Sequence, residues 1–268
     1  RDRLLRECET NVGLEVELLP GSDESKVSGR GELHLSVLIE QMRREGFELQ
    51  VSRPEVIVRE GKDGKEEPIE QVIIDVPEEF QGTVIDMLAR RKGALLDMRV
   101  REGHARMEFR VPTRGLLGFR GDFIIETRGK GILTHSFVAY ESWKGEISKR
   151  SHGSIISMID GKATAYDLWN IQERGQLFIS PSQPLYEGMI VGESAKDQDI
   201  VVNLTKGKKL SNMRASGSDD AIQLTPVTAM SLEQALEYIE DDELVEITPA
   251  SLRLRKKLLK EHERKRVK

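Results

Sequence analysis

Residues 1–142 carry one supersecondary pattern twice. In the second copy, Ile69 to Val76 reads as a strand, and Phe80, Val84, Met87 and Leu88 recur at helical spacing until Gly93 ends the helix. Leu95 to Val100 reads as the next strand, Arg101–Gly103 as a turn, and Met107, Phe109 and Val111 alternate as a third strand. Leu116, Phe119, Phe123 and Ile124 predict a second helix, and Ile132 to Tyr140 a fourth strand. The order βαββαβ predicts a split-βαβ sandwich, with two helices packed on one four-stranded sheet.

The first copy starts late. Leu4, Leu5 and Cys8 share a helical face, and Leu14, Val16 and Leu18 alternate as a strand, with Lys26 to Ser28 as a short second one. Leu35, Leu38, Ile39 and Met42 predict a helix capped by Gly46, and Phe47 to Val51 closes the unit. A ferredoxin-like sheet without its first strand exposes an edge and half a core, so the chain is expected to be a piece of a longer polypeptide. Both copies place Arg-Gly where the third strand gives way to the second helix, at Arg30-Gly31 and Arg114-Gly115. A helix start offers free N–H groups to an anion, so either arginine could touch phosphate. Either could equally pair with a nearby carboxylate and cap the fold.

Beyond Tyr140 the pattern changes. A hairpin is expected around Asp160-Gly161, and short apolar runs at Leu177–Ile179, Met189–Val191 and Ile200–Leu204 are punctuated by Pro181, Pro184 and Gly188. This suits a small open barrel or curled sheet. Ser231-Leu232-Glu233-Gln234 is a capping box opening a helix, and Thr248-Pro249 predicts the start of a last one. The expected fold class is α+β: an incomplete ferredoxin-like domain over 1–53, a complete one over 54–142, and a β-rich domain with terminal helices over 143–268.

The net charge is −5, yet the stretch from Leu204 to Ser218 carries Lys206, Lys208, Lys209 and Arg214 and no carboxylate. Gly207, Ser211, Asn212, Ser216 and Gly217 leave it little to bury, so it reads as an exposed basic loop. Such a loop is either a solvated surface feature or a phosphate-binding one, because each cation near a phosphate releases condensed counterions. The run from Arg253 to Lys268 is also basic, while Glu233 to Glu246 is acidic. Segregated signs point to basic patches on a neutral region. Cys8 is alone, so no disulfide forms within the chain, and no apolar run reaches the ~18 residues of a membrane span. No signal-peptide pattern opens the chain, and a reducing compartment, the cytoplasm, is expected.

No catalytic constellation emerges. His34, His104, His135, His152 and His262 are scattered, with no metal-ligand spacing and no nucleophile elbow. Gly161-Lys162 is followed by alanine and lacks the upstream glycine of a P-loop; Ser194-Ala195-Lys196 matches a guanine-contacting tripeptide only as three isolated letters. Tandem ferredoxin-like units also serve as small-molecule sensors or acylphosphatases, or as plain scaffolds. An acylphosphatase needs an anion loop with partnering Arg and Asn, and no such pair stands out. The sensor remains the alternative.

Ser28-Gly29-Arg30-Gly31-Glu32-Leu33-His34-Leu35 resembles the domain III turn of elongation factor G and related translational GTPases. Pro112 through Gly121, PTRGLLGFRG, resembles the narrower signature of the BipA/TypA branch. Val201 to Leu210 and Asn212 to Gly217 resemble the C-terminal loop peculiar to that branch. The resemblance covers the whole chain and implies domain III over 1–53, domain V over 54–142 and the branch-specific C-terminal domain over 143–268. It further implies a ribosome-associated protein acting in large-subunit assembly and in growth under cold and other stress. The implied partners are the large subunit, its rRNA and the A-site tRNA, with Lys206, Lys208, Lys209 and Arg214 at the tRNA acceptor end. Arg30 and Arg114 would contribute further RNA contacts. GTP and magnesium would bind a domain outside this chain, which is expected to hold no cofactor or metal, to hydrolyse no GTP and to be a monomer off the ribosome.

Overall fold

A computed structural model of the chain describes residues 1–61, 64–147, 150, 152–207 and 223–267. They form two compact units, Arg1–Arg53 with Arg150–Lys268, and Pro54–Lys149. The boundaries differ from the three segments expected, because the first segment and the last belong to one unit.

The first segment runs α1 (Asp2–Thr10), β1 (Glu15–Leu18), β2 (Ser25–Ser28), α2 (Glu32–Arg44) and β3 (Leu49–Ser52), in the expected order αββαβ. β1 and β2 form an antiparallel hairpin, Glu15 facing Ser28. Leu14, Leu38 and Met42 are buried together, with Leu4, Cys8, Val16, Val27 and Leu35 packed around them. β3 does not join that hairpin. It pairs with a strand near the other end of the chain, as described below.

In Pro54–Lys149 the elements are β4 (Arg59–Gly61), β5 (Gly64–Pro77), α3 (Gln81–Arg90), β6 (Ala94–Arg101), β7 (His104–Pro112), α4 (Thr113–Leu116), α5 (Phe119–Glu126) and β8 (Ile132–Ser142). The antiparallel order β8-β5-β7-β6 is the ferredoxin-like order, and β4 pairs with the start of β5. Alternation puts Val72, Ile74, Val76, Met107, Phe109 and Val111 on the face that the helices cover with Val84, Leu88, Phe119 and Phe123. The single helix expected through Leu116 and Ile124 is two. Leu117 is extended and Gly118 has φ 70°, a left-handed backbone that glycine adopts without the Cβ penalty. The break leaves the carbonyls of Gly115 and Leu117 to accept from Arg91 Nη1, at 3.1 and 2.9 Å.

The last segment holds β9 (Ser154–Ser157), β10 (Gly161–Lys162), α6 (Ala165–Ile171), β11 (Gly175–Leu177), β12 (Pro184–Leu185), β13 (Met189–Ser194), β14 (Ile200–Val202), α7 (Leu232–Tyr238), β15 (Glu243–Ile247), β16 (Leu252–Lys256) and α8 (Glu261–Val267). Its main sheet is an open path, β14-β9-β13-β16-β15-β3, with β11 also on β13, rather than a small barrel. β3 is its edge strand, Val51 facing Val245. Leu49 and Val51 fall on one face by alternation and pack beside Val245, Ile247 and Leu254 under α7. The other face carries Ile155, Met189 and Val191 under Leu168 and Ile171 of α6.

Two local expectations change here. β9 and β10 do not form a hairpin about Asp160: β9 pairs with β13 and β14, and β10 with β12. Thr248-Pro249 opens no helix but turns β15 into β16. Ser251 N donates to Thr248 Oγ1 at 3.0 Å, and Thr248 N to the Ser251 carbonyl at 2.9 Å. Proline suits the turn as well as a helix start, and the alternation of Leu252 and Leu254 with Arg253 and Arg255 decides for a strand. The basic run from Arg253 is therefore split between β16 and α8, and Lys256 in it is buried. The capping box at Ser231 and Gln234 forms as expected.

Candidate nucleic-acid interface

Of the six cations singled out from sequence, Lys208, Lys209 and Arg214 lie outside the described residues. Lys206 is described and exposed. The chain on either side of 208–222 is fastened to α6 and the turn that follows it. On the entry side, Gly207 N donates to Asp167 Oδ2 at 3.0 Å, and Thr164, the N-cap of α6, donates its backbone N–H to the Leu204 carbonyl at 2.9 Å. Leu204 itself is buried against α6. On the exit side, Gln172 donates from Nε2 to the Gln223 carbonyl at 3.2 Å and accepts from Thr225 N at 3.0 Å. Asp167 and Gln172 are five positions apart, about 7.5 Å along a helix axis at 1.5 Å per residue. Both stems of the basic stretch thus stand within one helix length of each other. Sequence reading missed these anchors because each is one polar side chain reaching the backbone of a distant segment.

Arg30 ends the β2 turn and is exposed. His34 Nδ1 accepts its backbone N–H at 3.2 Å, which locks the turn into α2. Its guanidinium lies over Gly13, where a Cβ would stand 2.6 Å from Nε and push this exposed, flexible side chain aside. Arg30 makes no ion pair among the described residues, although Glu32 puts a carboxylate in the first turn of α2.

Arg114 is placed differently. Its Nε donates to Glu67 Oε2 at 2.5 Å and its Nη2 to Oε1 at 3.1 Å, and the guanidinium stacks 3.8 Å from the Trp143 ring centroid. Glu67 is buried, and its Oε1 also accepts from Lys144 N at 2.7 Å. Of the two alternatives left by the sequence, pairing with a carboxylate is the one seen. Arg114 ties the 143–145 segment to β5, so Trp143, Lys144 and Gly145 belong with Pro54–Lys149 rather than with the last segment.

No group of His, Cys, Asp and Glu that could hold a metal occurs among the described residues. A cleft of about 530 Å³ is lined by Tyr186, Glu246, Arg253, Arg255 and Lys260, among others. Its charges neutralise one another: Glu246 accepts from Tyr186 Oη at 2.6 Å and from Arg255 Nη1 at 3.4 Å. Burial and the neighbouring Glu246 carboxylate push the Tyr186 phenol well above its ordinary value, so it remains a donor.

The description "TypA/BipA C-terminal domain" matches residues 152–261, and "Elongation factor G C-terminus" matches 65–151. The chain is 55% identical to the large ribosomal subunit assembly factor BipA of Haemophilus influenzae, over 99% of this chain and 43% of that protein. It is 51% identical to the proteins of that name from Salmonella typhimurium and Escherichia coli strain K12, over 99% of this chain and 44% of each. It spans under half the length of these curated relatives. With that identity along nearly its whole length, and with the two matches side by side over 65–261, this chain corresponds in sequence to the C-terminal part of proteins of the TypA/BipA family.

Proposed function

We propose that this chain is the ribosome- and RNA-binding portion of a translational GTPase that acts in assembly of the large ribosomal subunit. The observation that carries the reading is the basic stretch Lys206 to Arg214 within an acidic chain, with Gly207 and Gln223 held by Asp167 and Gln172. Cations on a stretch with little to bury exchange counterions with phosphate and need no folded-state partner. The similarity to assembly factors named for the large subunit supports the choice of that subunit. Within this reading, Lys206, Lys208, Lys209 and Arg214 engage the acceptor end of a tRNA or adjacent rRNA, and Arg30 adds a separate phosphate contact. Nucleotide and magnesium belong to the GTPase domain of the longer protein, and this chain hydrolyses nothing. The setting is the cytoplasm, under cold or other stress, with a monomer as the free form.

Sedimentation with isolated ribosomal subunits tests the reading. The chain is expected to travel with the large subunit at low salt and to leave it as salt rises. Absence from both subunits at every salt concentration overturns it and favours a small-molecule sensor.

A further inference from the structure

α6 buries Leu168 and Ile171 and turns Tyr166 and Trp169 the other way. At about 100° per residue, positions 166 and 169 lie on neighbouring lines of the outer face, with Asp167 and Gln172 on the two flanks. The aromatic rings stand 6.4 Å apart, tilted by 33°. Trp169 is 45% exposed, on a helix whose packing is completed by its other face.

Two exposed lysines adjoin the start of α6. Lys206 is exposed beside the first stem, and Lys162 is exposed on β10, whose continuation to Thr164 is bonded to Leu204. Neither lysine pairs with a carboxylate among the described residues. Asp167, on the same helix, is engaged: its Oδ2 accepts from Thr164 Oγ1 at 2.7 Å and from Gly207 N at 3.0 Å. An exposed π-face on a helix whose start adjoins two lysines without a carboxylate partner among the described residues complements a flat aromatic ring that carries a phosphate. That ligand is an unpaired nucleotide. Duplex RNA keeps its bases stacked inside and would offer the rings nothing.

We propose that Tyr166 and Trp169 form a stacking platform for an unpaired base of the bound RNA, with Lys206 and Lys162 on the adjoining phosphates. The inference rests on the RNA-binding reading above and adds a base contact to its phosphate contacts. It is tested with the full chain, a labelled single-stranded RNA oligonucleotide and an abasic oligonucleotide of equal length and charge. Loss of one base stack weakens binding by about five- to 150-fold. Trp169→Ala is expected to show a loss in that range, Trp169→Phe a much smaller one, and neither changes the dependence on salt. Wild-type protein is expected to bind the abasic oligonucleotide as weakly as Trp169→Ala binds the intact one. The comparison of intact with abasic RNA on wild-type protein decides the matter even if the alanine variant folds poorly. If intact and abasic RNA bind wild-type protein alike with salt dependence preserved, the platform is refuted and the phosphate reading stands. If Trp169→Ala then still lowers large-subunit association, the exposed face meets protein instead. If wild-type protein binds no RNA at all, both readings fall.

Discussion

Lys256 Nζ lies 2.9 Å from Glu243 Oε1, between residues that face each other across β15 and β16, with 2% and 0% of their side chains exposed. The ammonium also meets Asp199 at 2.9 Å and Asp242 at 3.0 Å. Glu243 in turn accepts from Arg150, from Ser154 Oγ at 3.0 Å and from Glu240 N at 2.9 Å. A buried charge with one partner removed is worse than none, because its desolvation is no longer offset. Lys256→Met is therefore expected to cost about 3–5 kcal/mol, read by denaturant unfolding. Glu243→Gln keeps the shape but leaves Lys256 and Arg150 short of a counter-charge, and should cost a similar amount. A loss within ±0.5 kcal/mol, the ordinary range for surface changes, would show that water reaches this cluster.

The same cluster fixes how stability depends on alkaline pH. The carboxylates of Glu243 and Asp199 hold the Lys256 ammonium well above its ordinary value despite burial. Burial also raises the phenols of Tyr186 and Tyr238. All three groups keep their protons longer in the folded chain than in the unfolded one. Their contribution is present in full below the unfolded values, near pH ~10, and is lost as pH rises through the folded ones. The melting temperature should hold from pH 8 to about pH 10 and fall beyond it, with a shallower fall in Lys256→Met. A melting temperature that stays flat past the ordinary tyrosine and lysine range would contradict these shifts.

Arg114 separates stability from binding. Arg114→Ala strands the buried Glu67 carboxylate and removes the stacking partner of Trp143. A loss of about 3–5 kcal/mol is expected for the Pro54–Lys149 unit, with a shift in tryptophan emission. Arg114→Lys should recover little, since an ammonium cannot reproduce the two-pronged bond. The salt dependence of RNA binding should not move in either variant under conditions where it remains folded. A flattened salt slope would return Arg114 to the interface.

Hydrogen exchange should divide the first segment. β1 and β2 form an isolated two-stranded hairpin over a small cluster, whereas β3 is bonded along β15 in the large sheet. Amides of α1, β1 and β2 are expected to exchange well before those of β5 and β7, and β3 to exchange late, with β15. Uniformly fast exchange from 1 to 53 would mean that the β3–β15 pairing is not kept in solution.

That split also marks what could be read in advance. The ferredoxin-like unit was legible because each of its strands and helices announces itself within about ten residues, through period 2 or period 3.6. The partner of β3 was not, since Leu49 and Val51 alternate equally well for any sheet and the edge they cover lies near the far end of the chain. Thr248-Pro249 was ambiguous locally, as proline fits a helix start and a turn alike. The fate of Arg114 depended on Glu67, 47 residues away, being buried. At the candidate interface, composition alone flagged the cations, but not the grip of Asp167 and Gln172 on the stems. Trp169 was not legible because only the fold shows that its ring stands 45% exposed on the outer face of α6.

The basic stretch itself makes the final prediction. If Lys206, Lys208, Lys209 and Arg214 each neutralise one phosphate of a single strand, the slope of log K against log salt includes roughly −3 from this stretch, at ~0.7 per contact. Replacing all four with alanine should flatten the slope by about that amount and weaken binding alike across RNA sequences. Lys206→Ala alone should remove about 0.7. Lys206 is exposed and its neighbour Gly207 is held through the backbone, so the fold should keep its melting temperature. The order of effects distinguishes phosphate contacts from base contacts: the quadruple variant changes the slope, and Trp169→Ala changes the intercept. A quadruple variant with unchanged affinity and slope would reduce the stretch to a solvated surface feature and leave Arg30 to carry the phosphate contacts.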